Sequence, residues 1–262
     1  MFDCSASGSE LVDPQTPSAN LLFRRFSLRD RAALATHIVP ISGARGDRLV
    51  PPASGGSYVY LSDGPLISLE QRNGIEVALI GREGIVGWPA LVGSLHAPFG
   101  LVIRGREGMI YRIEASVLIK IAAANPTIAI MLNRFVVSIS MQMAETIAAY
   151  AAHRIEMRLA RWMLLRHDRA GGDELLAQHD EIAMNLGTRR ASITDCLHVI
   201  EGEGVVRCRR GKLMIRDRAR LESLAGGCYG SAEAFYADMI GPFGKSAETL
   251  RSASSMTTDL SL

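Results

Sequence analysis

Residues 178–204 read QHDEIAMNLGTRRASITDCLHVIEGEG, and this stretch decides how the C-terminal half of the 262-residue chain folds. A short helix is expected from about Asp180 to Leu186, with Ile182 and Leu186 inward and the small Ala183 between them. Gly187 supplies the tight turn that two helices need to cross at a steep angle. Thr188 is the expected N-cap of the second helix, on which Ile193, Cys196, Leu197 and Ile200 form a buried stripe at helical spacing. That leaves Arg189, Arg190, Ala191, Ser192, Thr194 and Asp195 for the outward face and the N-terminal end. In a helix-turn-helix these positions enter the major groove, where Arg bonds guanine O6 and N7 and polar side chains reach base edges or phosphate.

The next segment, GVVRCRRGKLMI from Gly204 to Ile215, reads as strand, turn, strand. Arg209, Arg210 and Lys212 place three cations at a hairpin tip, where they can grip phosphates beside a groove. From Arg189 to Arg220 there are nine basic residues against four acidic ones. A helix-turn-helix followed at once by a basic hairpin is a winged helix-turn-helix, expected between about residues 153 and 220, with double-stranded DNA as partner. Just before it, residues 154–167 (RIEMRLARWMLLRH) form an amphipathic helix with Ile155, Leu159, Trp162 and Leu165 on one face, and Asp168–Asp173 is a turn.

Bulk properties agree with that division. The formal net charge is +2, but residues 153–220 hold 14 Lys/Arg against 10 Asp/Glu while the rest hold 15 against 17. The basic excess sits where a polyanion would be met. With 48% apolar residues, the length accommodates one large domain or two modest ones. Cys4, Cys196, Cys208 and Cys228 are scattered without a CxxC pair, which points to a reduced, cytoplasmic setting. The polar first 20 residues lack the apolar core of a signal peptide. The longest apolar stretch, Ile128–Tyr150, is interrupted by Asn133, Arg134, Gln142 and Glu145, so neither a membrane helix nor a membrane partner is expected.

Residues 1–20, rich in Ser, Asp and Pro, read as disordered, and 21–124 as a β-barrel domain entered through one or two short helices. Its β-type runs are Ser57–Leu61, Leu66–Leu69, Glu76–Ile80, Leu101–Ile103 and Met109–Ile113, separated by Gly- and Pro-bearing turns. Asn125-Pro126 starts a long helix by capping and first-turn preference, about 25 residues and ~37 Å if followed to Tyr150. Residues 125–152 are the expected dimerisation helix, with Ile128, Leu132, Phe135, Ile139, Met143 and Ile147 as its contacts. Ile130, Val137 and Met141 line a second face, so the helix needs both a barrel and its own copy to pack on. The winged module takes 153–230, and 231–262 is expected to be a flexible tail. The fold class is therefore α+β.

The order of β-rich domain, long helix and winged helix-turn-helix resembles the Crp/Fnr family of transcriptional regulators. The matching residues are EGIVGWPALVG (Glu83–Gly93), RLARWMLLRHDRAGGDEL (Arg158–Leu175) and the module over 178–215. The resemblance covers about residues 20–230. It implies a jelly-roll, cyclic-nucleotide-binding-like sensor domain, a homodimer reading a two-fold operator, and regulation through contacts with RNA polymerase. Of the family's base-reading trio, Arg190 matches the first Arg, whereas Ala191 and Asp195 replace a Glu and a second Arg. The operator should therefore differ from that of the cyclic-AMP receptor.

The same comparison argues against cyclic nucleotide. The family's pocket uses a Glu after a sharp Gly turn and an Arg-Ser pair for the phosphate. Here Trp88 follows Gly87, and the corresponding region reads His96-Ala97-Pro98-Phe99, with no cation. Gly84, Gly87, Trp88 and His96 mark where any other effector pocket would open. Only Cys4 precedes Cys196, too few thiolates for an iron–sulfur cluster, so no cofactor is expected. Gly81, Gly84 and Gly87 space as GxxGxxG, which are turn glycines and not a dinucleotide fingerprint. The six histidines show no metal-ligand spacing, and His179-Asp180-Glu181 lacks the PCxxC of a zinc deaminase. No enzyme is expected. The alternatives are a cupin-like β-barrel enzyme, for which the barrel offers only His37 and His96, or a dimerisation module with an unrelated helical tail. Cys196 reads as core, and Cys208 on the wing strand as a candidate redox switch near DNA.

Overall fold

The computed structural model describes residues 16–49, 57–94 and 99–245. After a single helical turn at Phe23–Arg25, α1 (Leu28–Ala35) starts at Ser27, whose Oγ accepts from the Asp30 N–H at 3.1 Å and donates to its carboxylate. Seven strands follow among the described residues of this half: β1 (Val39–Gly43), β2 (Tyr58–Ser62), β3 (Leu66–Glu70), β4 (Glu76–Ile80), β5 (Ile85–Val86), β6 (Gly100–Arg104) and β7 (Gly108–Glu114). They form two sheets, β1-β7-β2-β5 and β4-β3-β6, with every pairing antiparallel. The sheets face one another as a flattened jelly-roll barrel, Ile103 of one meeting Ile110 of the other beside Gly43. Residues 16–20 are not disordered: Asn20 is fully buried and its Nδ2 donates to Ser62 O and Gly84 O, both at 3.0 Å. A buried amide with its donors satisfied ties the lead-in to the barrel. Residues 1–15 lie outside the described residues.

α2 (Ala115–Ala124) leads into α3 (Pro126–Ala152). Asn125 is the boundary residue, but its side chain does not cap α3; Nδ2 donates back to Ile121 O in the last turn of α2 at 3.2 Å. The faces of α3 correct the expected dimer contacts. Ile128, Leu132, Phe135 and Ile139 are buried in the barrel's core, and Met143 packs partly buried against it. Phe135 rests on Gly84, where an added Cβ would lie 1.9 Å from the ring. On the same face Gln142 bonds both polar groups of the β4 backbone at Leu79, Oε1 to N at 2.8 Å and Nε2 to O at 3.2 Å. A stripe with the bulkiest side chains is the one the larger apolar surface claims, and that surface is the barrel. Only Ile147 of the expected set is exposed, at 70%. Another correction concerns length: by length and composition α3 is long and apolar enough to cross a membrane. Its polar interruptions are too few to offset its apolar residues, but one of its faces belongs to a protein core.

The C-terminal half comprises α4 (Ile155–His167), β8 (Glu174–Leu176), α5 (His179–Asn185), α6 (Arg190–Gly202), β9 (Val206–Arg209), β10 (Lys212–Ile215) and α7 (Arg218–Ala225). A second core gathers Leu159, Trp162, Ile182, Ile193, Leu197, Leu213 and Leu221 under a small sheet ordered β8-β10-β9. The two cores meet across buried ion pairs. Arg166 is bidentate to Glu76 of β4 at 2.8 and 2.6 Å, stacked 3.6 Å over the Trp162 ring, and Arg169 Nε lies 2.8 Å from Glu83. Each pair is desolvated, so each is held by geometry and would leave a stranded charge if halved.

The chain does not become a flexible tail at 231. After a turn at Gly226–Cys228, α8 (Ser231–Met239) lies on α3, and Tyr236, Ile240 and Phe243 are buried in the barrel's core. Only Tyr236 lies on α8, with Ile240 and Phe243 beyond its end, so no helical period marks the three as a set. Residues 246–262 lie outside the described residues.

Candidate nucleic-acid interface

Gly187 adopts φ +58°, beside Ile75 of the barrel, and turns the chain from α5 into α6. An L side chain there would be strained, which explains why the turn holds a glycine. Thr188, half-buried, donates its backbone N–H to Ala183 O at 2.9 Å and so belongs to the turn. The cap position of α6 falls instead to Arg189, extended at φ −87°, ψ 146°, with no side-chain capping bond. The first N–H groups of α6 therefore have no side-chain cap and lie next to Arg189 and Arg190 in the chain, an arrangement suited to an anion.

Along α6 the buried residues are Ile193, Cys196, Leu197 and Ile200, as the spacing predicts. Arg189, Arg190, Ala191 and Asp195 are exposed, while Ser192 and Thr194 are half-buried. Thr194 Oγ1 donates to Arg190 O at 3.1 Å and lies 3.0 Å from His179 Nδ1, which locks α5 against α6. His198 and Val199 share the exposed surface, Val199 at 59%. Sequence reading missed them, although steps of three and four from Ala191 and Asp195 lead to both. Val199 offers an apolar contact of the kind that meets a thymine methyl.

The wing is built as β9 and β10 in antiparallel register, Arg209 opposite Lys212, around the two-residue turn Arg210-Gly211. Arg207, Arg209 and Arg210 are exposed and have no ion-pair partner among the described residues. Lys212 Nζ is 2.9 Å from Glu174 of β8. Between the wing and the start of α6 lies an open depression of about 510 Å³ lined by His179, Arg190, Arg209 and Arg210. One acid, Asp180, also lines it and holds Arg190 at 3.2 Å. Burial and the neighbouring Glu201 push the Cys208 thiol up to about 11, so thiolate is scarce at neutral pH and a redox switch there is disfavoured.

The barrel residues singled out in the sequence have packing roles. Gly84 lies under Phe135, Gly87 turns at φ +87° against Tyr58 O, and Trp88 packs half-buried on the barrel core. His96 lies outside the described residues. Among those described, no group of three or more His, Cys, Asp or Glu is placed to hold a metal ion.

Residues 157–224 match the model of the Crp-like helix-turn-helix domain family. Solved structures match over most of the chain. A protein described as a Crp/Fnr-family transcriptional regulator from Eubacterium rectale superposes with TM-score 0.60 at 20% identity, covering 78% of this chain and 97% of its own. TTHB099, a CRP-family transcriptional regulator from Thermus thermophilus, gives 0.59 at 18%, covering 71% and 97%. CLP, the c-di-GMP responsive global regulator of Xanthomonas campestris, gives 0.58 at 13%, covering 72% and 99%. At these identities the likeness is one of fold. No curated protein is significantly similar in sequence.

Proposed function

We infer that this chain, which has the fold of Crp/Fnr transcriptional regulators and carries a Crp-like helix-turn-helix domain at 157–224, is a sequence-specific DNA-binding transcription regulator working as a homodimer on a two-fold operator. The observation that carries this reading is the pairing of one helix face with one hairpin. Arg190, Ala191, Asp195, His198 and Val199 are exposed along α6, and Arg209 and Arg210 stand free on the wing across an open cationic depression. The helix face offers donors, an acceptor and an apolar contact to base edges, and the wing offers charge to phosphate. Asp195, an acceptor where the cyclic-AMP receptor places a cation, favours a cytosine or adenine amino group.

The dimer is supported by the outer face of α3. Residues 130, 133, 137, 140, 144, 147 and 151 are all exposed, in alternating steps of three and four. They are Ile, Asn, Val, Ser, Ala, Ile and Ala, a heptad seam whose small members permit close approach and whose single Asn fixes register. Two such chains would present their α6 helices to successive major-groove turns, ~34 Å apart. By the same reading the protein is cytoplasmic, non-enzymatic and unresponsive to cyclic AMP, and acts through RNA polymerase.

Selection of bound sequences from random duplexes tests this. Enrichment of a pseudo-palindrome, with affinity falling steeply as salt rises, is the expected result. Absence of duplex binding even at low salt would overturn the reading.

A further inference from the structure

We propose that residues 229–245 form a strap that fixes the angle of the DNA-binding domain against the barrel, so that the chain itself sets how its recognition helix is presented. The inference rests on the reading of α6 as a DNA reader.

The domain's entry alone would not fix that angle. α3 and α4 are separated by His153 and Arg154, both extended, at ψ 146° and 163°. Two non-helical residues between two helices are a hinge, about which the following domain swings unless something else restrains it. The Arg166–Glu76 pair and the Arg161 bond to Gln142 O already restrain it on one side, and the exit adds a second restraint on the other. Beyond α7 the chain returns to the barrel and attaches on three sides.

On the barrel side, Tyr236, Ile240 and Phe243 are buried in its core, and Tyr236 Oη donates to Glu83 O at 2.7 Å. On α3, Arg134 Nη1 donates to Met239 O at 2.8 Å, and Glu145 Oε1 accepts from the N–H groups of Ser231 and Ala232 at 2.9 and 3.3 Å. That carboxylate caps the start of α8, a position where negative charge is favoured. On the DNA-binding domain, Lys245 N donates to Asp168 Oδ1 at 3.2 Å and Tyr229 Oη donates to Asp168 Oδ2. Asp168 is also held by Arg218 of α7 at 2.8 Å.

Two residues make the attachments a single unit. Glu83 receives Tyr236 of the strap on its carbonyl and Arg169 of the DNA-binding domain on its carboxylate. Arg169 in turn lies 5.0 Å over the ring of Phe243. A swing at the hinge would have to break the buried Glu83–Arg169 pair and disturb the seat of Phe243 in the core, so one orientation is strongly preferred.

The test compares the full-length protein with Phe243→Ala and Tyr236→Phe. Hydrogen exchange is read at residues 70–78 and 182–188, where the barrel touches α5 away from the strap, and at 110–114 inside the barrel. Binding to the selected operator and to random duplex is measured in parallel. We expect exchange at 70–78 and 182–188 to quicken about tenfold in Phe243→Ala, with 110–114 unchanged. Operator affinity should fall about tenfold while random-duplex affinity holds, because only specific binding needs a fixed helix angle. Tyr236→Phe should shift both in the same direction by less. Unchanged exchange at the remote contact overturns the strap, and so does loss of protection at 110–114, which would make these residues barrel core and nothing more. If the wild-type protein binds no duplex, the DNA reading fails and exchange alone decides the strap.

Discussion

Asp180 Oδ2 lies 3.2 Å from Arg190 Nη1, so the cation proposed to read a base is already held by an acid on the preceding helix. Both side chains are about two-thirds exposed, at 67% and 66%. An exposed pair of this kind contributes little to stability, of the order of 0–1 kcal/mol. Its effect is to aim the guanidinium. Asp180→Ala should therefore leave the melting temperature within about 2 °C of wild type and relax base preference at one position of each half-site. Arg190→Ala should relax the same position. If the two variants alter different positions in a binding selection, Asp180 does not orient Arg190.

The wing should behave differently. Arg210 stands at the hairpin tip with no ion-pair partner among the described residues, and the proposed binding mode has it meet phosphate and no base edge. Arg210→Ala should weaken binding to operator and random duplex by a similar factor and reduce the slope of log affinity against log salt by about 1. A selective loss on the operator would move Arg210 from backbone grip to base reading.

Much of this interface was legible because helical spacing is a local property. Ile193, Cys196, Leu197 and Ile200 had to be buried together, which turned Arg190 and Asp195 outward. Gly187 announced the turn through its own backbone freedom. The wing followed from alternation and a basic tip. What spacing cannot settle is which of two apolar faces meets which partner, and α3 shows it. Both of its stripes repeat every three or four residues, and only the barrel's shape, with Gly84 making room for Phe135, decides that the bulky one turns inward. The Glu83–Arg169 pair and the return of Tyr236 to the barrel join residues distant along the chain. No local pattern records them.

The corrected faces of α3 give opposite mutational outcomes. Val137 is 46% exposed on the heptad seam, and Leu132, at 6%, lies in the barrel core. Val137→Glu should convert dimer to monomer in analytical ultracentrifugation with little loss of monomer stability, since a charge at a seam position is desolvated only on association. Leu132→Glu should instead unfold the barrel, costing several kcal/mol by burying an unpaired carboxylate. Equal oligomeric states for wild type and Val137→Glu would exclude the seam as the dimer contact.

Stability should also depend on pH through Glu233 of α8. Burial, followed by the nearby Asp168 and Glu145 carboxylates, raises its carboxyl to about 7 against the opposing pull of Arg169. Its Oε2 is shut off from solvent without a hydrogen-bond partner. A carboxyl raised on folding binds its proton more tightly in the folded chain. Its stabilising contribution is complete below the ordinary carboxylate range and is lost as pH rises through about 7. The loss is on the order of 2 kcal/mol once solvent at the exposed edge of the side chain is allowed for. Glu233→Gln, which stays neutral, should remove that component. The urea midpoint of the wild type should fall relative to the variant between about pH 5 and pH 8. Parallel pH profiles for the two proteins would mean that Glu233 is ionised throughout and that α8 tolerates its charge.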